Sequence, residues 1–143
     1  MLILPHAPRA ELEGLVRAGH PHETCGVLVG SPRPGGGARV ERVVACRNLN
    51  TERARDRYDL DPDDYLQAEI AARRDGLEIV GIWHSHPDHP ARPSETDRAA
   101  AWEGWSYLIL SVAADGVRDV RSWRLDGVGF AEEDIQTEEP VES

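Results

Sequence analysis

His84-Ser85-His86-Pro87 sets two imidazoles two residues apart. The preceding run, Leu77-Glu78-Ile79-Val80-Gly81-Ile82-Trp83, is apolar and rich in β-branched and aromatic residues, the composition of a buried strand. Residues two apart on a strand share a face, so His84 and His86 project together. On a helix, at about 3.6 residues per turn, they would point roughly apart. Pro87 closes the strand, and a proline-rich loop leads to Ser94-Glu95-Thr96-Asp97. Ser94 reads as a helix N-cap with Asp97 at the third helical position. Taken singly, a histidine or a Ser-x-x-Asp box is ordinary. Two imidazoles at a strand end beside a carboxylate at a helix start supply three ligands for a divalent ion. A fourth position is left for water, as in catalytic zinc sites.

Water activated in this way needs a base, and amide cleavage needs a group that returns a proton to the leaving amine. Glu23 is the candidate, because it stands at the entrance to the strand-like run Cys25-Gly26-Val27-Leu28-Val29-Gly30. Cys25 is close enough in sequence to raise the question of a thiol nucleophile. Such a thiol needs an oriented base and a lowered pKa, and Cys25 is read as a small packing residue instead.

These groups must be positioned by the elements around them. Leu2 to Leu4 suggests a short strand, and Leu12, Leu15 and Val16 recur at helical spacing between Arg9 and Ala18. A glycine- and proline-rich turn, 31–37, separates the Cys25 strand from a partner over Arg39 to Arg47. Residues 48–57 read as loop and Tyr58 to Leu60 as a brief strand. Asp61 caps a helix that has Pro62 at its first position and runs to about Arg74. After the histidine segment come a helix from Glu95 to about Trp102, a strand over Tyr107 to Val112, and two hairpin turns at Asp115-Gly116 and Asp126-Gly127. The turns lead into strands over Val117 to Leu125 and Val128 to about Ala131. The pattern predicts an α/β domain with a mixed sheet flanked by helices, over 1–131, followed by an acidic, flexible tail over 132–143.

With 143 residues the chain suits one domain, and its net charge of −10, with 16 basic residues that are all arginine, argues against nucleic-acid or anionic-membrane partners. No apolar run reaches the roughly 20 residues of a membrane span, and Met1 to Pro5 is too short for a signal sequence. Two cysteines, Cys25 and Cys46, do not make a disulfide framework, so a cytoplasmic location is expected.

Taken together, Pro21-His22-Glu23-Thr24-Cys25-Gly26, His84-Ser85-His86-Pro87, Ser94 and Asp97 resemble the JAMM (MPN-plus) metalloprotease family. The spacing His-x-His, ten intervening residues, Asp, with Ser three before that Asp, matches the family signature without a gap. The resemblance implies a single JAMM/MPN-type domain with a layout like that of cytidine deaminases. It implies one catalytic Zn2+ held by His84, His86 and Asp97, with Glu23 as general acid/base and Ser94 as a donor to the oxyanion. Only nine residues separate Asp97 from Tyr107, so the second of the insertions that grip ubiquitin in eukaryotic members is absent. The chain is closer to short prokaryotic members, which implies an (iso)peptidase acting after the C-terminal Gly-Gly of a ubiquitin-like or sulfur-carrier protein. The alternative is a non-catalytic MPN-type interaction module. Members of that type lose metal ligands, and this chain has the full set.

Overall fold

The computed structural model describes residues 1–54, 57–95, 97, 101–127 and 129–138. Two long hydrophobic runs set its centre. β2 (Cys25–Pro32) and β4 (Glu78–Pro87) are buried along most of their lengths and pair antiparallel, with Cys25 opposite His84 and Val27 opposite Ile82. β3 (Ala38–Cys46) returns antiparallel to β2 through a turn in which Gly35, Gly36 and Gly37 all take positive φ. Gly26 is required by close approach, since a Cβ there would lie 2.0 Å from the Val44 carbonyl oxygen.

β5 (Ser106–Ala113) runs parallel to β4, and β6 (Gly116–Leu125) and β7 (Phe130–Glu133) follow as antiparallel neighbours. With the short β1 (Leu2–Ile3) and β8 (Ile135–Gln136), the sheet order is β7-β6-β5-β4-β2-β3-β1-β8. Its two end strands are joined in sequence by Asp134 alone, so the sheet must curl until its edges nearly meet. Met1 seals the approach, its ammonium lying 3.3 Å from Glu133.

One helix covers each face. α1 (His6–Gly19) buries Leu12 and Val16 against Leu28, Trp83, Leu108 and Leu110. α2 (Pro62–Arg74) buries Ala68 and Ala72 against Val27, Val29, Ile82 and Tyr107. The start of α2 is fixed as its sequence requires. Asp61 accepts from the Asp63 N–H at 2.9 Å, Pro62 fills the first turn, and Arg47 ties β3 to Asp61 and Asp64.

β4 carries an extra residue at Val80, where its register with β2 slips: Leu28 pairs Gly81 and Val29 pairs Ile79. Beyond the slip Ile82, His84 and His86 point to the α2 face, and a parallel crossover must leave from the same strand end. The mixed α/β architecture read from the sequence is borne out.

Some boundaries moved. α1 begins at His6 rather than Arg9, because Pro8 sits in a first turn whose N–H groups lack helical partners anyway. Tyr58 to Leu60 forms no strand, only an isolated bridge between Asn48 and Leu60. Of the residues expected to begin the tail, Glu132 and Glu133 are in β7 and Ile135 and Gln136 in β8. Backbone pairing to β6 and β1 holds them, and the Ser122 hydroxyl donates to Glu133 at 2.7 Å. Residues 139–143 lie outside the described residues. So do 96 and 98–100 of the helix expected after Ser94, of which Glu95 and Asp97 are helical.

Candidate metal centre

At the end of β4 the rings of His84 and His86 lie 4.9 Å apart, as period-two alternation requires. One ligand atom each from Glu23, His84, His86 and Asp97 falls within 4.8 Å of the others. Glu23, His84 and Asp97 are buried, with exposures of 4%, 0% and 8%, so their polar atoms have little water to rely on.

The hydrogen bonds fix the tautomers. His84 Nδ1 lies 3.1 Å from Glu23 Oε1, and His86 Nδ1 lies 2.8 Å from the Pro90 carbonyl oxygen. The Pro90 carbonyl can only accept, as does Glu23 when it is a carboxylate, so both Nδ1 atoms carry a hydrogen, and each ring in its neutral form presents an Nε2 lone pair. Those lone pairs meet another acceptor, with His84 Nε2 3.6 Å from Asp97 Oδ1 and His86 Nε2 3.2 Å from Asp97 Oδ2. His84 Nε2 is buried without any hydrogen-bond partner. Acceptors aimed at one another call for a cation between them, and two imidazoles with one carboxylate are a donor set that suits zinc. The Glu23–His84 pair has the form of the carboxylate–histidine support that orients histidine rings in metal sites.

A proton can stand in for that cation, and on His86 Nε2 it is donated to Asp97. Burial pulls His86 down, but the hydrogen bond to Asp97, the Pro90 carbonyl and nearby carboxylates outweigh it and the imidazole pKa rises. Burial would raise Asp97, yet its bond from His86, the nearby His84 and the Ser94 N–H bring it down to about 2.

Ser94 and Asp97 form the reciprocal cap that their spacing implied. Asp97 N–H donates to Ser94 Oγ at 3.0 Å, and Ser94 N–H donates to Asp97 Oδ2 at 2.8 Å. Because the Ser94 oxygen accepts, its own hydrogen can still donate into the cleft. Cys25 is turned elsewhere, with Sγ 3.7 Å from the Cys46 carbonyl oxygen. Burial, with Cys46 and Glu23 adding to it, pushes the thiol up to about 12, so no thiolate nucleophile forms.

Two residues were missed at the sequence level. Tyr58 stacks on His84 with centroids 4.6 Å apart, and burial and Asp97 push its phenol up, keeping it neutral. Asn48 holds Tyr58 and Glu23 in place. Its amide nitrogen donates to the carbonyls of Glu23 (3.1 Å) and Arg57 (3.0 Å), and its oxygen accepts from the N–H groups of Asn50 (3.0 Å) and Asp59 (2.9 Å). Glu23 N–H also donates to the Ala54 carbonyl. Thr24 is stapled to β4, its N–H donating to Ser85 Oγ at 2.8 Å.

Two clefts meet at Tyr58 and Asp97. One, of about 730 Å³, is walled by Leu60, Pro62, Tyr65, Trp102 and Trp105. The other, of about 340 Å³, contains Glu23, His86, Ser94, Arg57, His89 and Arg92. No helix among the described residues is long and apolar enough to cross a membrane.

Comparisons with known proteins agree with this geometry. Residues 8–126 match the family described as prokaryotic homologs of the JAB domain. The chain is 36% identical over 109 residues to a desampylase of Haloferax volcanii, covering 74% of this chain and 73% of that one. It is 38% identical over 128 residues to the CysO-cysteine peptidase of Mycobacterium tuberculosis, covering 87% and 79% respectively. A solution structure of a Desulfitobacterium hafniense protein superposes with a TM-score of 0.84 at 33% identity, covering 99% of this chain and 96% of that one. The chain belongs to the prokaryotic homologs of the JAB domain and is a metallopeptidase of the JAMM (MPN-plus) type.

Proposed function

We propose that the chain is a zinc-dependent (iso)peptidase that hydrolyses the amide bond after the C-terminal Gly-Gly of a ubiquitin-like or sulfur-carrier protein. The observation that carries this reading is the buried, partnerless His84 Nε2 facing Asp97, with His86 and Glu23 alongside. His84, His86 and Asp97 hold the ion. Zinc bound there supplies a Lewis acid and a water of lowered pKa.

Glu23 is the general acid/base. One of its carboxylate oxygens is engaged by His84, and the other is left to take a proton from water and deliver it to the leaving amine. Ser94 donates its hydroxyl hydrogen toward the carbonyl oxygen as charge develops there. The aromatic cleft beside Asp97 receives the extended tail ahead of the scissile bond, and the absence of Cβ atoms on two glycines lets that bond come close to the buried His84 and Asp97. The names of the relatives, a desampylase and a CysO-cysteine peptidase, support a substrate of this class.

The test is incubation of the zinc-loaded protein with carrier proteins extended beyond Gly-Gly, read by intact mass. Loss of the extension after the second glycine, stopped by a chelator, is the expected result. No cleavage of any such carrier by protein that holds zinc would favour the interaction module instead.

A further inference from the structure

The smaller cleft differs from the aromatic one in charge. Its carboxylates, Glu23 and Asp97, are both turned onto the imidazoles, whereas its outer lining includes Arg57, His89 and Arg92. Arg92 is exposed and has no carboxylate partner among the described residues, in a chain whose net charge is −10. Arginines elsewhere, such as Arg42, Arg47, Arg118 and Arg121, are ion-paired.

The loop that presents Arg92 is held at nearly every residue. Asp88 N–H donates to the Val112 carbonyl at 2.8 Å, and Ser111 Oγ donates to the His89 carbonyl at 2.5 Å. Trp123 Nε1 donates to the carbonyl of the buried Ala91 at 3.0 Å. The Pro90 carbonyl accepts from Arg92 N–H at 2.8 Å as well as from His86 Nδ1, so one oxygen orients both the candidate ligand and the arginine. An unpaired guanidinium on a pinned loop at the rim of a cleft is prepared for a carboxylate, which it can bind with two parallel N–H bonds.

We infer that this rim is a carboxylate subsite for the leaving group, so that the amine released is an amino acid, or a peptide short enough to bring its own carboxylate to Arg92. The inference rests on the peptidase reading above. In the reaction, the oxygen of water joins the glycyl carbonyl carbon and the C–N bond breaks. Both protons of that water pass to the nitrogen, which leaves as an ammonium group, and the carbonyl becomes a carboxylate. The products are a carrier ending in a Gly-Gly carboxylate and a free amino acid. An α-carboxylate stands one carbon from the scissile nitrogen, within the small cleft. In a lysine side-chain conjugate no carboxylate is so near.

The experiment compares three conjugates of one carrier: Gly-Gly joined to an amino acid, to the same amino acid as its carboxamide, and to the side-chain amine of lysine within a peptide. The quantity read is kcat/KM for zinc-loaded wild type, Arg92→Gln and Arg92→Lys. The ratio of carboxylate to carboxamide within one variant is independent of how much protein is folded. The expected wild-type ratio is about ten- to a hundredfold, as for a charge-assisted hydrogen bond, collapsing toward one in Arg92→Gln and largely kept in Arg92→Lys. A wild-type ratio near one, or a ratio unchanged in Arg92→Gln, overturns the subsite while leaving the peptidase intact. Preference for the lysine conjugate overturns it in favour of a protein leaving group. No cleavage of any conjugate overturns the peptidase reading and the subsite with it.

Discussion

His84 and His86 stand on β4, which is hydrogen-bonded on one side by β2 and on the other by β5, whereas Asp97 and Ser94 stand at a helix start beyond a proline-rich loop. In the strand-borne half, backbone ladders fix where each imidazole sits, and side chains add only the last orientation through Glu23 and Pro90. In the loop-borne half, bonds between side chains and backbone set the geometry, Ser94 with Asp97 and Trp123 with Ala91. The centre therefore joins a rigid wall to a wall assembled from individually removable contacts. Loss of either histidine should remove the metal, and loss of the single contacts that place the second wall, short of Asp97 itself, should detune the chemistry.

Substitutions can break or sharpen that contrast. The largest effect is expected on the strand side: His84→Ala or His86→Ala releases zinc and abolishes turnover, as metal analysis of the purified variants would read. Unchanged metal content in both would remove the ligand assignment. On the role proposed for it, Glu23→Gln deletes a proton carrier but no ligand, so zinc should be retained while kcat falls by about 10²- to 10⁴-fold. Ser94→Ala should lower kcat by about 10²- to 10³-fold through loss of the proposed oxyanion donor. It should also cost about 1 kcal/mol at the helix start, measurable by urea unfolding of the zinc-free protein. Asn48→Ala is expected to be the mildest for chemistry. It leaves four backbone partners unsatisfied, so unfolding free energy should drop by about 1–3 kcal/mol, with zinc retained and a modest fall in kcat as Glu23 loosens. If Asn48→Ala instead removed zinc, the segment that carries Glu23 would be part of what holds the metal, against the role proposed for Glu23.

The same contrast marks what could be read from sequence. The β4 histidines were legible because period two acts on neighbours, and Ser94 with Asp97 because a cap is a local motif. Asn48 and Tyr58 were not, since their contacts join segments 25 and 26 residues away in sequence, to Glu23 and His84 respectively. An asparagine in a polar stretch looks like any loop residue until its partners fold onto it. Glu132 to Gln136 misled for another reason: acidic composition signals solvation, yet an edge strand is held by its backbone, which composition does not report. The Val80 slip was equally silent, because either face of that strand is apolar.

The most direct test of the metal centre is X-ray absorption at the zinc edge on the zinc-loaded protein, with stoichiometry from native mass spectrometry. The account predicts one ion per chain, with two imidazole nitrogens and oxygen donors at about 2.0–2.2 Å and no sulfur. A sulfur shell at about 2.3 Å, which would bring in Cys25, or protein that takes up no zinc, would contradict it.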